Sequence, residues 1–168
     1  MQKTWHKMSS IKKNFFSLLL IFILFSIDRL TKYLIVIYSN PSGELIIPIT
    51  SFLKLNLIWN NGIAFGLLSF QQDLYYNSLT VIIIIITLIL SYFMIKSNYV
   101  EKAAFCLIIG GSLGNIFDRI YYSSVVDFID FHINNFHWFI FNVADIFITT
   151  GVIILIVLEI LKKNDKKY

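Results

Sequence analysis

Long apolar runs separated by short polar segments dominate the chain. Four of these runs approach the length of about 20 residues that a helix needs to cross a bilayer. The second run contains an almost unbroken series of isoleucines, whereas the third carries two charges at its start and three glycines. The pattern predicts four membrane-spanning helices, at about 15–38, 74–95, 99–117 and 138–161.

The segment 39–73, between the first two predicted helices, has a different pattern. Leu45–Thr50 and Phe52–Trp59 are rich in β-branched and aromatic residues, and the second stretch alternates in part. Asn60-Asn61-Gly62 follows as a strong turn signal. We therefore predict an all-α membrane protein, a four-transmembrane-helix bundle with a small outward-facing β-sheet between helices 1 and 2. Residues 1–168 are expected to form a single integral membrane domain.

Composition supports a membrane protein and argues against a nucleic-acid partner. Of the 168 residues, 57% are hydrophobic and 14% are charged, whereas a soluble domain has about 45–50% and about 25%. The net charge of +4 comes from lysines in tails and short loops. These lysines are explained by membrane topology, so we expect no nucleic-acid binding.

The distribution of lysines also predicts the orientation. Both tails and the loop between helices 2 and 3 are basic, whereas the two long loops hold only Lys54 and Arg119. The positive-inside rule places both termini in the cytoplasm and both long loops outside. The first apolar run, preceded by Lys12-Lys13, could be mistaken for a secretory signal peptide. Because no small-x-small cleavage site follows it, we interpret it as an uncleaved helix.

Asp145 is the costliest residue in this pattern. It is expected two turns inside the otherwise apolar fourth helix, where an acid at the bilayer centre costs roughly 2.5–3.5 kcal/mol. Asn142 lies three residues earlier and is expected on the same helix face. A chain that retains such an acid is expected to use it.

Other polar residues are expected near Asp145 at the outer membrane boundary. Asp28 and Lys32 are four apart in helix 1 and can pair. Gly110 and Gly114 have a spacing typical of close helix packing. The remaining polar residues, at the end of helix 3 and in the apolar stretch that follows it, are Asn115, Asp118, Arg119, Asp127 and Asp130.

Two carboxylates in a site of low dielectric constant share one proton, and this is the chemistry of aspartic proteases. Residue spacing alone leaves Asp118 and Asp127 open as the partner of Asp145. No Gly-x-Ser-x-Gly nucleophile motif is present. A metal site could be considered at Asp127, Asp130, His132 and His137. Their spacing matches no standard ligand pattern, so we predict no metal and no cofactor.

Five sequence blocks, in this order, resemble the signal peptidase II family, the lipoprotein signal peptidases. They include a Gly-Gly-x-x-Gly-Asn-x-x-Asp-Arg block, a Val-Val-Asp-Phe block and a Phe-Asn-x-Ala-Asp block with a later glycine. Together they span residues 28 to 151. The blocks are Asp28-Arg29-Leu30-Thr31-Lys32, Asn60-Asn61-Gly62-Ile63-Ala64-Phe65, Gly110 to Arg119, Val125 to Phe128 and Phe141 to Gly151.

The resemblance implies an aspartyl endopeptidase of the bacterial cytoplasmic (inner) membrane, with its active site toward the outer face. Its substrates would be prolipoproteins, cut before a cysteine that carries a diacylglyceryl group, and it would contact membrane lipid. By the same match, Asp127 and Asp145 are the catalytic pair. Supporting or substrate-binding roles fall to Asn60, Gly62, Asn115, Asp118, Arg119, Asn142, Asp28 and Lys32. We expect a monomer.

Two other classes of protein compete with this interpretation. A small proton-coupled transporter also uses buried acids and glycines, but it would place them along a path through the midplane. A non-enzymatic assembly subunit would tolerate replacement of its acids by amides.

Overall fold

Four helices and four short strands form the part of the chain described by the computed structural model, residues 2–40, 43–61, 72–133 and 136–165. The helices are α1 (Gln2–Tyr38), α2 (Gln72–Lys96), α3 (Tyr99–Tyr122) and α4 (Val143–Asp165). The strands are β1 (Ile46–Pro48), β2 (Leu53–Asn60), β3 (Val125–Ile133) and β4 (Phe136–Phe141). The predicted combination of a mostly helical chain with a small antiparallel sheet is confirmed.

Three of the described helices are long and apolar enough to cross a membrane: Tyr76–Lys96, Tyr99–Tyr122 and Val143–Lys163. In the most apolar windows of the first and last, only 17% and 11% of residues are buried within the protein, against 56% for α3. Apolar side chains on α2 and α4 therefore face outward, as expected for surfaces in contact with lipid. The central helix is α3, which contacts each of the other three.

Glycines allow α3 to lie very close to its neighbours. A Cβ atom added at Gly110 would lie 2.7 Å from the Cβ of Leu24 in α1. One added at Gly111 would lie 2.5 Å from the carbonyl oxygen of Ala144 in α4, and one at Gly114 would collide with the carboxylate of Asp28. The predicted close packing at the helix-3 glycines is thus confirmed.

The sheet differs from the prediction in its position. Its order is β1-β2-β3-β4 with all pairs antiparallel, so β2 from the first long loop pairs with β3 from the second. The prediction of a sheet confined to residues 39–73 is therefore wrong, as is a fourth helix beginning at 138. Residues 136–141 form β4. A short apolar run is compatible with a strand or a buried helix, and periodicity alone does not distinguish them.

A small apolar core attaches the sheet to the end of α1. Leu45, Leu57, Val126 and Phe128 pack together with Ile35, and each of the five is buried. The strands follow α1 and α3 and precede α2 and α4, so they all lie at one end of the helices. The short α2–α3 connection lies at the opposite end.

We expect Gly151→Ala to destabilise the protein. A Cβ at this position in α4 would lie 2.6 Å from the carbonyl oxygen of Ala104 in α3, and such overpacking costs about 1–3 kcal/mol. Ile153→Ala is the matched control because Ile153 is 55% exposed. Thermal unfolding in detergent should show a midpoint several degrees lower for Gly151→Ala and almost unchanged for the control. Equal midpoints for the two variants would contradict the packing described here.

Candidate active site

The first turn of α4 holds Asp145. The backbone N–H of Asn142 donates to Oδ2 of Asp145 at 3.1 Å, and the N–H of Asp145 donates to Oδ1 of Asn142 at 3.1 Å. This reciprocal pair is a capping box, and it fixes Asn142 as the N-cap of the helix. The expectation that Asp145 lies two turns inside a helix is wrong, because α4 begins at Val143. A first-turn acid is stabilised by the helix dipole.

Asp127 lies on β3 and is almost fully buried, at 3% exposure. Its Oδ1 accepts a hydrogen bond from Nδ2 of Asn142 at 2.6 Å, and its Oδ2 accepts one from Nδ2 of Asn60 at 2.8 Å. Burial raises the pKa of Asp127 to about 6. The two amide hydrogen bonds oppose this rise in pKa, whereas the charge of Asp145 adds to it.

The side chain of Asn142 links the two acids. Its Oδ1 accepts from the backbone of Asp145, and its Nδ2 donates to the carboxylate of Asp127. Asn142 is fully buried, so its amide has a fixed orientation. One residue therefore positions the start of α4 relative to β3.

Asn115 on α3 holds the carboxylate of Asp145 from the other side. Its Nδ2 donates to Oδ1 of Asp145 at 2.8 Å, while its Oδ1 accepts from Nζ of Lys32 at 2.8 Å. The ammonium group fixes which way the amide points, since an ammonium offers only donors. Lys32 thereby orients Asn115, and Asn115 orients Asp145.

Behind this amide is a buried cluster of two acids and two cations. Nζ of Lys32 lies 3.1 Å from Oδ1 of Asp28 and 2.7 Å from Oδ2 of Asp118. Nη2 of Arg29 lies 2.7 Å from Asp28, and its Nη1 lies 2.5 Å from Asp118. The predicted Asp28–Lys32 pair is thus half of a four-membered cluster, and Arg29 has two carboxylate partners.

The same two acids also bind backbone amides of the site. Oδ1 of Asp28 accepts from the N–H of Ala144 at 3.1 Å, and Oδ2 of Asp118 accepts from the N–H of Val126 at 3.3 Å. The cluster therefore ties α1 and α3 to the first turn of α4 and to β3. Both oxygens of Asp118 contact cations, whereas within the described residues the Asp127 carboxylate accepts its hydrogen bonds from the amides of Asn60 and Asn142.

The remaining predicted residues are less central or lie outside the described part of the chain. Arg119 is half-buried, and its Nη1 donates to the carbonyl oxygen of Asn115 at 3.2 Å. Gly62 lies outside the described residues. Sequence reasoning missed the role of Arg29, whose guanidinium also lies over the ring of Phe117 at 4.9 Å. A signal was available in the sequence. Asp28 is the one acid of α1, so it cannot neutralise both Arg29 and Lys32, and a second acid from another helix was to be expected.

The arrangement brings together a buried acid with a raised pKa and a second, half-buried acid held by N–H donors. Such a pair can hold one proton and activate water without a nucleophilic side chain or a cofactor.

Comparison with known proteins gives a consistent result. The family described as signal peptidase (SPase) II matches residues 20–161. The lipoprotein signal peptidase of Pelagibacter ubique is 47% identical over 155 residues, covering 92% of this chain and 93% of the relative. That of Francisella tularensis subsp. mediasiatica is 41% identical over 150 residues, covering 87% and 92%.

Solved structures agree with the sequence relatives. A bacterial membrane enzyme determined by the in meso method at 2.3 Å resolution matches with a TM-score of 0.72 and 35% identity, covering 90% of this chain and 91% of the other. A second such structure, at 1.9 Å resolution, gives a TM-score of 0.71 and 36% identity, covering 84% and 90%. The chain belongs to the signal peptidase II family of membrane-bound aspartic peptidases.

Proposed function

We propose that this chain removes signal peptides from diacylglyceryl-modified prolipoproteins, cutting before the lipidated cysteine, with Asp127 and Asp145 as the catalytic pair. The observation that carries the proposal is the single buried amide of Asn142, which contacts both acids. The names of the relatives, lipoprotein signal peptidases, support the substrate class.

The environments of the two acids suggest different roles. Asp127 is buried and has a raised pKa, so it carries the shared proton and donates it to the oxygen of the scissile carbonyl. Asp145 is half-buried and held by N–H donors from Asn142 and Asn115, and it takes a proton from a water molecule. The water oxygen then bonds to the carbonyl carbon, and this gives a tetrahedral diol.

Breakdown of the diol reverses these proton transfers. Asp145 returns its proton to the amide nitrogen as the carbon–nitrogen bond breaks. Asp127 accepts a proton from a diol hydroxyl as the new carboxyl group forms. The pair again holds one proton, so no other residue and no bound group has to supply or remove charge.

Neighbouring residues keep the acids in this arrangement. Asn60 and Asn142 hold Asp127, and Asn115 holds Asp145. Asp28, Lys32 and Asp118 act one step further away, through Asn115 and through the backbone of α4 and β3. Arg119 contacts the backbone of Asn115. We assign Asn60, at the exposed end of β2, to the substrate side of the site. For Gly62, two residues later in the sequence, a substrate-binding role stays a prediction from the family resemblance.

We propose that α1 is a fourth span and that the active site faces outward across the bacterial inner membrane. Asp28, Arg29 and Lys32 of α1 form ion pairs within the buried cluster, which removes most of the penalty for placing these three charges in a bilayer. The sheet and the acids lie at one end of the helices. Lys96, Lys102 and Lys162 lie at the other end, the end that the positive-inside rule places in the cytoplasm.

The substrate's lipid and apolar signal sequence fit the outer surface of the helices, where exposed aliphatic side chains are abundant. A monomer satisfies the proposal because all the site residues come from one chain. No nucleic-acid partner is needed.

Separate Asp127→Asn and Asp145→Asn substitutions should each reduce kcat/KM for a diacylated prolipoprotein by a factor of at least about 10². An amide cannot take up or release the required proton. Glu159→Gln is the control, because Glu159 is an exposed acid on α4, and this variant should cleave the precursor at the wild-type rate. Processing is read from the shift in electrophoretic mobility of the precursor. Near-normal cleavage by either Asn variant would remove that acid from the proposed pair.

Asp118→Asn should mainly affect stability. It leaves Arg29 and Lys32 with one carboxylate in a buried site, and breaking a buried ion pair in this way costs about 3–5 kcal/mol. Asp127→Asn should behave differently above pH 6, because it removes a carboxylate whose ionised form is penalised by burial. Unfolding midpoints at pH 8 should therefore fall for Asp118→Asn and stay level or rise for Asp127→Asn. The reverse order would assign the structural role to Asp127.

The pH dependence of cleavage should report the proton on Asp127. Its folded-state pKa is raised to about 6, so the protonated form is lost, and kcat/KM falls, as the pH rises through that value. Asn60→Ala removes a hydrogen bond that favours the ionised carboxylate, so it should move this decline to higher pH. A decline that is unshifted, or shifted to lower pH, in the variant would contradict the assignment of Asp127 as the proton donor.

A further inference from the structure

Three potential metal ligands meet at the edge of the sheet, outside the catalytic pair. Asp130 and His132 are two residues apart on β3, and His137 on β4 is the cross-strand partner of His132. Each residue offers one ligand atom, and these atoms all lie within 4.8 Å of one another. Considered from sequence together with Asp127, these residues predict no metal, because their spacing matches no standard ligand pattern. Spacing could not show that the β3–β4 pairing brings the three donors together.

The cluster is separate from the active site although Asp127 is on the same strand. At both irregularities in the sheet the extra residue belongs to β2 or β4, so β3 keeps its regular alternation. Side chains of a strand point alternately to opposite faces. Asp130 and His132 therefore share one face of β3, and Asp127 belongs to the other.

The carboxylate of Asp130 is fully buried and oriented by its neighbours. Nδ1 of His137 lies 2.8 Å from its Oδ1 and 2.9 Å from its Oδ2. Nδ2 of Asn56 and Nζ of Lys54 lie farther away, at 3.4 Å and 3.5 Å from Oδ2. Oδ1 therefore has His137 as its only hydrogen-bond or ion-pair partner within the described residues.

His132 has an unused nitrogen beside this carboxylate. Within the part of the chain that the structure describes, its Nδ1 is buried and has no hydrogen-bond partner. Its ring stacks on that of His137, with centroids 5.5 Å apart and planes 25° apart. A buried nitrogen without a partner is unfavourable in a folded protein unless something binds it.

We propose that Asp130, His132 and His137 bind a zinc ion. Two imidazoles and one carboxylate are a ligand set that zinc accepts, and water can fill the fourth position of a tetrahedral site. With metal–ligand bonds of about 2.0–2.1 Å, ligand atoms in such a site stand about 3.3 Å apart. In the structure the three ligand atoms lie within 4.8 Å of one another, and the half-exposed ring of His137 has room to adjust towards a bound ion.

The bound ion would fasten β4 to β3. It would replace the contact between His137 and Asp130 with bonds from both residues to one metal, and it would use the free nitrogen of His132. Lys54 opposes binding, because its ammonium lies near the same carboxylate. A less positive residue at position 54 should therefore increase the affinity for zinc.

The test is isothermal titration of ZnCl₂ into the full-length protein in detergent, purified without a polyhistidine tag. The wild type should bind one zinc ion per chain. His132→Ala and His137→Gln should each weaken binding by at least about tenfold, and Lys54→Gln should strengthen it. His6→Ala is the matched control, since His6 is the one histidine of the sequence outside the proposed site. This variant should bind zinc like the wild type.

Thermal unfolding with and without zinc gives an independent reading. Zinc should raise the midpoint of the wild type and of His6→Ala but not that of His137→Gln, because a ligand stabilises only the folded state that binds it. His137→Gln keeps a hydrogen-bond donor for Asp130, so it separates loss of metal binding from loss of folding. The proposal is overturned if the wild type binds no zinc, if the His6 variant alone loses binding, or if MgCl₂ binds as tightly as ZnCl₂.

Discussion

The buried amide of Asn142 is the contact on which the rest of the site depends. It caps α4 through Asp145 and donates to the carboxylate of Asp127 on β3. An amide is the only neutral side-chain group that offers both an acceptor oxygen and two donor hydrogens. It can therefore join two acids without neutralising either. A cation in its place would hold both acids ionised, and the proton that the proposed reaction needs would be lost.

The positive charge of Lys32 is connected to Asp145 through one intervening residue, Asn115. The ammonium group lies between Asp28 and Asp118 and donates to the amide oxygen of Asn115, whose amide nitrogen donates to Asp145. The four-membered ion cluster is neutral as a whole, which limits the penalty for burying it beside a membrane. Its acids also bind backbone amides of α4 and β3. The cluster thus supports the site, whereas the proposed catalytic pair is left free to gain and lose a proton.

Much of the fold could be predicted from hydrophobic pattern, because spanning helices need long apolar runs. The pattern could not reveal that β2 and β3, about 70 residues apart in sequence, pair with each other. It also assigned residues 138–141 to a helix, since a short apolar run suits either structure. That error placed Asp145 two turns inside the helix, whereas the observed helix begins at Val143 and has Asp145 in its first turn.

The sequence predicted some residues of the candidate site but not how they pair, because the pairing depends on contacts between distant segments. Spacing identified Asp145 as costly but could not choose between Asp118 and Asp127 as its partner. The contacts support our proposal of Asp127, because the carboxylate of Asp118 contacts two cations whereas that of Asp127 contacts two amides. Cross-strand contacts such as His132 with His137 depend on register, which a single sequence specifies only weakly. The transporter alternative loses support, because the polar residues gather at one end of the helices.

The most direct test of the account is a carboxyl NMR titration of Asp127, labelled with ¹³C in the full-length protein. In the wild type the account predicts titration at about 6. In Asp145→Asn it predicts a lower pKa, because the neighbouring charge that raises it has been removed. Titration of Asp127 near its ordinary value of 3.8, or a pKa that Asp145→Asn leaves unchanged, would contradict a proton-sharing pair.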